Sequence, residues 1–450
     1  MAVDLRRVPL PRTTLPEAAP EVPAHEYEAR MADLVRRAGV DRVVVYGDRE
    51  HAANLQFLCG FDPRFEEALL LLAPAGRPTL VVGNEGAGYA EAVARGVDVA
   101  LCQSLSLLDQ SRADAPRLDD VLRDVGFARG DRVGVVGWKY VTAAETDEPS
   151  RPAFVPAFVV SALRTVTAQD AVDCTALVMA PAGGMRAVNS AAQIAAFEWG
   201  AARASAAVMR IVEAAEPGRS ELELAGAAGY EGEPLTCHVM LSAGSDAIVG
   251  LRSPRARRVR DGDGITTAVG YAGGLCCRAG VVTREPDRDF FDTYVAPYYA
   301  ALAAWYATIG VGVRGGDVHD AVLAALDGAP FRPLLNPGHL GSFDEWVSSP
   351  IRPGSDDVVG SGAVFQCDVI PTPLPPGRAL NCEDTVALAD EDLRAELERD
   401  QPELWARITA RRAFARDELG LELGDDVLPL GDSVGYLAPF WLDPTLVCVS

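Results

Sequence analysis

The chain has 450 residues, 49% of them apolar, and a formal net charge of −23 at pH 7. That length exceeds what one hydrophobic core normally organises, so two domains are expected. The charge opposes phosphate backbones and excludes nucleic-acid binding through a basic face, and no run of about 18 apolar residues offers a membrane span.

In chain order, residues 1–24 form a proline-rich segment, read as an arm lying on the surface or on a partner subunit. It lacks an apolar signal core, which predicts a cytoplasmic protein. EYEARMADLVRRAGV then places Met31, Leu34 and Val35 on one helical face, and DRVVVYG follows as a short apolar run suited to a buried strand. A turn at Gly60, two strands broken by a turn at Pro74–Pro78, and a further strand in DRVGVVGW complete an α/β pattern assigned to residues 25–165. Lys139, the only lysine, sits in that last strand-and-turn pattern. It is neither part of a G-K-[ST] phosphate loop nor placed as a Schiff-base lysine, so P-loop and pyridoxal chemistry are excluded.

The pattern changes at residue 166. SAAQIAAFEWGAARASAAVMRIVEAAEPG predicts a long helix stopped by Pro217 and Gly218. From His238 to about Ala389, strands alternate with glycine turns and are interrupted by two helical stretches, DFFDTYVAPYYAALAAWYATIG and DVHDAVLAAL. This predicts an α+β domain with an internal cavity over 166–395, and 396–450 is read as an extension packed on it. Nine cysteines without C-x-x-C spacing fit reduced thiols.

Five segments in order carry a family resemblance. NLQFLCGFDPRFEEALLLL is similar to the N-terminal domain of creatinases and Xaa-Pro peptidases. HVMLSAGSDAIVGLRSP, RDGDGITTAVGYAGG, NPGHLGSFDEW and SGAVFQCDVIPTPLPPGRALNCEDTVAL resemble successive segments of their pita-bread domain. The resemblance implies an α/β N-terminal domain plus an α+β pita-bread C-terminal domain. It also implies a homodimer acting on a small-molecule substrate.

Metal-dependent members hold two divalent ions on two aspartates, one histidine and two further carboxylates. Motif by motif, the aspartate places fall on Ala268 and near Arg278, and the other three on His339, Asp368 and Glu383. An assisting histidine's place falls on Leu251, beside Arg252, and DEWVSSP stands where an H-E pair normally follows the glycine-histidine segment. Loss of two aspartates with gain of a guanidinium removes the reason for a dinuclear centre, since hard cations need anionic oxygens.

The resulting expectation is a metal-independent hydrolase of a C–N bond in a small polar, carboxylate-bearing molecule, without a cofactor. His339, or else His238, carries the proton, while Glu383 and Asp368 orient water and polarise the leaving nitrogen. Arg278 and Arg252 anchor the carboxylate, with Cys276 and Trp346 as further substrate contacts. An unpaired Asp368 on a strand would be costly, so Arg278 is its expected partner. Of Cys276 and Cys277, at most one faces the cavity, and Cys276 shares the side of Arg278. Cys276 is weighed as a nucleophile against ordinary packing. His238 is left open between pointing inward and outward. His319 is read as solvated on a helix capped by Asp317, and His51 as exposed or bordering the cavity. Two alternatives remain: an Xaa-Pro peptidase with one Mn, Co or Zn ion on His339, Asp368 and Glu383, or a binding protein without catalysis.

Overall fold

The computed structural model describes residues 2–245 and 250–450. The DAIV portion of HVMLSAGSDAIVGLRSP therefore lies outside the described residues. The chain divides into two compact units, one of Val22–Arg186 and one combining Met1–Glu21 with Ala187–Ser450. The expected boundary at 165 falls inside the helix Ala157–Thr167, whose Val159 and Leu163 belong to the core of the first unit.

The chain opens with strand β1 (Asp4–Arg7), which belongs to the second unit. The first unit contains β2 (Arg42–Gly47), β3 (Ala68–Leu72), β4 (Thr79–Val82), β5 (Asp98–Leu101), β6 (Val133–Val136) and β7 (Val172–Asp173). They form one mixed sheet in the order β5-β4-β3-β2-β6-β7. ALLLL of β3 is buried at every position, as a strand covered on both faces requires. The helix Ala24–Ala38 buries Tyr27, Met31 and Leu34, and ends where Gly39 turns to a φ of 61°. A residue with a Cβ resists that left-handed turn.

The second unit is built on antiparallel strands: β8 (Met240–Gly244), β9 (Gly264–Tyr271), β10 (Gly274–Val281), β11 (Arg332–Pro333), β12 (His339–Leu340), β13 (Val364–Cys367), β14 (Pro371–Thr372), β15 (Asn381–Leu388), β16 (Val427–Pro429) and β17 (Leu446–Val449). The main sheet runs β12-β13-β15-β10-β9-β8, with β16 added on β15, while β11 pairs separately with β14. The predicted long helix is present as Ala191–Glu213, capped by the Ser190 hydroxyl, which accepts from the Gln193 amide. It packs against β9 and β10. Gly273 permits that approach: with φ at 100°, any Cβ there would stand 2.3 Å from the Phe197 Cα on the helix. Together, the helix-backed antiparallel sheet and the mixed α/β unit are the architecture that the resemblance implies.

Residues 396–450 are part of this second unit, since β16 extends the main sheet and β17 pairs antiparallel with β1. The N-terminal arm thus lies on its own chain. The Tyr436 hydroxyl donates to the Val8 carbonyl at 2.7 Å, and the Thr13 amide and hydroxyl donate to Asp432, each at 2.8 Å. No helix among the described residues is long and apolar enough to cross a membrane.

Candidate functional site

Side-chain alternation on the sheet decides what faces the cavity. Cys277 of β10 lies opposite Ala268 of β9 on one side and Glu383 of β15 on the other. These three residues line one cavity of about 890 Å³, together with Thr266, Ala279 and Asn381. Arg278, one residue out of phase, pairs with Thr267 and Cys382 and faces the opposite side of the sheet.

Two expectations about Arg278 are therefore corrected. It does not line the cavity, and its carboxylate partner is Asp384, both of whose oxygens accept from Nη2 at 2.8 Å. Its Nε donates to the Tyr436 carbonyl and its Nη1 to the Cys277 and Glu383 carbonyls. Asp384 also accepts from the Ser433 hydroxyl and the Gly435 amide. A fully engaged, buried guanidinium of this kind ties the C-terminal segment to the sheet and has no donor left for substrate.

Arg252 is likewise corrected: its Nη2 donates at 2.9 Å to Glu221, which is fully buried and also accepts from the Ala243 and Arg255 amides. Cys276 follows Arg278 to the far face, where its sulfur lies 3.9 Å from Asp384. Burial pushes the Cys276 thiol up to about 12 in spite of Arg278, so it is no nucleophile. By strand phase, the aspartate place assigned near Arg278 falls on a cavity-facing neighbour, taken here as Ala279.

Of the other candidates, Asp368 and Glu383 line the cavity floor, whereas His339 lies against the lining residue Trp346 without itself lining the cavity. His339 is completely buried, with its ring stacked on Trp346 at 4.1 Å between centroids. Its Nδ1 lies 3.3 Å from the Leu340 carbonyl, a contact that makes Nδ1 the protonated nitrogen. The free Nε2 stands 2.9 Å from the Glu345 Oε1 and 3.9 Å from the Glu383 Oε1. The shorter of these lacks the alignment of a hydrogen bond. Glu345 was not foreseen: the segment DEWVSSP was read as the loss of an H-E pair, and nothing in its spacing says that its second acid turns towards His339.

Asp368 directly follows β13 and is buried. Its Oδ1, the Glu383 Oε1 and the His339 Nε2 are buried atoms without a hydrogen-bond partner. The cost of leaving them so appears in their protonation. Burial, opposed by His339 and aided by Glu345, pushes the Asp368 carboxyl up to about 7. Burial, then Asp368 and Glu345, holds Glu383 well above the usual carboxylate range. Burial lowers the His339 pKa, but the neighbouring Glu345 and Asp368 carboxylates outweigh it and leave it raised.

His238 and Trp346 both line the cavity; His238 is solvent-exposed, with its Nε2 3.1 Å from the Leu251 carbonyl. His319 lies elsewhere and is buried rather than solvated, and the helix Gly315–Ala325 starts after Arg314 with Asp317 inside its first turn. His51, in the first unit, hydrogen-bonds Asp48 at 2.9 Å and stacks on Trp138.

The dinuclear centre of the metal-dependent relatives does not fit these residues, because Ala268 and Ala279 offer no ligand atoms. A single divalent cation does fit. His339, Glu345 and Glu383 each offer one ligand atom, and these lie within 4.8 Å of one another. A lone pair on Nε2 facing a carboxylate oxygen at 2.9 Å requires a positive charge between them, either a proton or a cation.

Helix-backed sheet and acidic cavity floor together define a pita-bread protein. The chain shares the pita-bread fold found in the creatinase and prolidase family. Among solved structures, it is similar to an Xaa-Pro dipeptidase from Bacillus anthracis, with a TM-score of 0.61 and 15% identity over 82% of this chain and 96% of the other. It is similar to the prolidase from Pyrococcus horikoshii OT3, with a TM-score of 0.62 and 15% identity over 81% and 95%. The dipeptidase PepE from Mycobacterium ulcerans gives 0.60 and 20% identity over 82% and 95%. No family model matches the sequence, and no curated protein matches it.

Proposed function

We propose that the chain is a hydrolase of amide-type C–N bonds that works with one divalent cation. The observation that carries this reading is the set of three buried atoms that make no hydrogen bond, the Asp368 Oδ1, the Glu383 Oε1 and the His339 Nε2, the last of them 2.9 Å from the Glu345 Oε1. Three carboxylates crowd one imidazole there, an arrangement that native proteins retain when a cation or a transferable proton completes it. The likeness of fold to proteins named as prolidases and Xaa-Pro dipeptidases supports hydrolysis as the reaction class.

His339, Glu345 and Glu383 would hold the cation, with Asp368 close by. Such an ion polarises the substrate carbonyl and acidifies water. Trp346, stacked on His339, fixes the imidazole plane. Asp368, a buried carboxylate lining the cavity beside these residues, is placed to take the proton that the attacking water loses and to return it to the departing nitrogen. The metal-independent reading rested on the loss of two aspartates and the gain of Arg278 as a stand-in for the cation; the first still argues against a dinuclear centre, while Arg278 lies on the other face of the sheet.

The test is metal analysis of the purified chain before and after chelation, with hydrolysis of a panel of apolar peptides and amides followed on the same samples. About one equivalent of Mn, Co or Zn should bind and restore turnover, and Glu345→Gln should weaken binding by about 10–100-fold. Turnover that survives chelation would instead support metal-free acid–base chemistry on Asp368 and Glu383. Absence of any turnover would leave the fold as a binding module.

A further inference from the structure

Above the acidic floor the cavity walls are mostly apolar, and the lining includes exposed Leu251, Leu334, Leu335 and Trp346. Leu251 is 78% and Leu334 59% exposed, an arrangement that soluble proteins keep mainly where an apolar partner is to be received. Acidic groups outnumber basic ones along the described lining. Glu345, Asp368 and Glu383 occupy the floor, whereas the guanidinium among the described lining residues, Arg378, is engaged by Asp287 at 2.7 Å. His238 has its Nε2 on the Leu251 carbonyl. The arginines expected to bind a carboxylate, Arg278 and Arg252, are held by Asp384 and Glu221.

We propose that this cavity selects apolar substrates without a free carboxylate, such as apolar peptides or amides blocked at the carboxyl end. The inference rests on the cavity being the substrate site of the proposed hydrolase. A substrate carboxylate would be desolvated against leucine and tryptophan side chains, above a floor rich in carboxylates, with the guanidinium among the described lining residues, Arg378, already shared with Asp287. A blocked carboxyl group avoids that cost, and large apolar side chains release water from the rim.

The test compares leucyl-phenylalanine amide with free leucyl-phenylalanine, by calorimetric binding to the full chain as purified and again after chelation. The amide should bind more tightly by about tenfold or more in both states, the scale set by an unpaired buried charge. In Leu335→Arg, which places a cation on the exposed rim, the free dipeptide should gain most of that difference while the amide changes little. Equal or tighter binding of the free dipeptide to the unaltered chain, or no binding of either ligand, would overturn the proposal. Tight, selective binding of the amide without cleavage would uphold the selectivity and count against the hydrolase reading. Preferential cleavage of the free dipeptide would uphold the hydrolase and overturn the selectivity.

Discussion

Asp368 is the residue on which charge and burial meet most directly. Its carboxyl ionises near 3.9 in an unfolded chain and near 7 in the fold. The folded state therefore binds the proton more tightly, so this contribution to stability is complete below about pH 4, declines as pH rises and is gone above about pH 7. In chelator-treated protein, the stability of Asp368→Asn relative to the unaltered chain should accordingly rise from pH 4 to pH 7 and level off above it. Urea titrations across that range would reveal the slope, and a pH-independent difference would show that burial does not control this group. Arg278 is the opposite case, a buried charge whose partners are all present. Arg278→Met leaves Asp384 uncompensated and should cost about 3–5 kcal/mol. Because the guanidinium faces away from the cavity, any variant that stays folded should keep its KM. A KM change without loss of stability would place Arg278 back in the substrate site.

At the scale of elements, a strand's period of two separates function from structure. Cys277 and Glu383 enter the cavity, while Arg278 and Asp384, the next residue on each strand, form the ion pair behind the sheet. The same period explains why the expected aspartate place, set one residue off, turned a structural arginine into a supposed substrate anchor. It also makes the alignment testable. Ala268→Asp combined with Ala279→Asp should add cavity-facing carboxylates on β9 and β10 and raise bound metal from about one equivalent to about two, the number that two further oxygen donors can support. Metal content unchanged in a folded double variant would mean that these positions do not face the acidic floor.

For the whole molecule, the arm and the C-terminal segment close the second unit. β1 pairs with β17, Trp199 donates to the Pro16 carbonyl, and Arg411, buried beside Glu198, also donates to the Thr13 hydroxyl and Asp432. Deleting residues 2–16 removes a strand and several of these bonds, and should destabilise that unit by about 2–4 kcal/mol on a scale of about 1 kcal/mol per hydrogen bond. Calorimetry should show one transition lowered and the transition of the Val22–Arg186 unit unchanged. Loss of both together would mean that the two units unfold as one.

Much of this was legible in the sequence. Apolar runs such as ALLLL and the long alanine-rich helix showed an α/β unit and an α+β unit, because periodicity and turn residues are local properties of the chain, while the pita-bread reading came from the resemblance carried by five motifs in order. His339, Asp368 and Glu383 were legible too, carried by the glycine-histidine segment and the last two strand motifs of the resemblance. What the sequence alone did not decide was direction and company: which of two adjacent strand residues looks inward, which acid meets which arginine, and that Glu345 joins His339. Those follow from sheet register and from contacts between segments far apart in the chain, such as Arg278 with Asp384, and only the folded packing sets them.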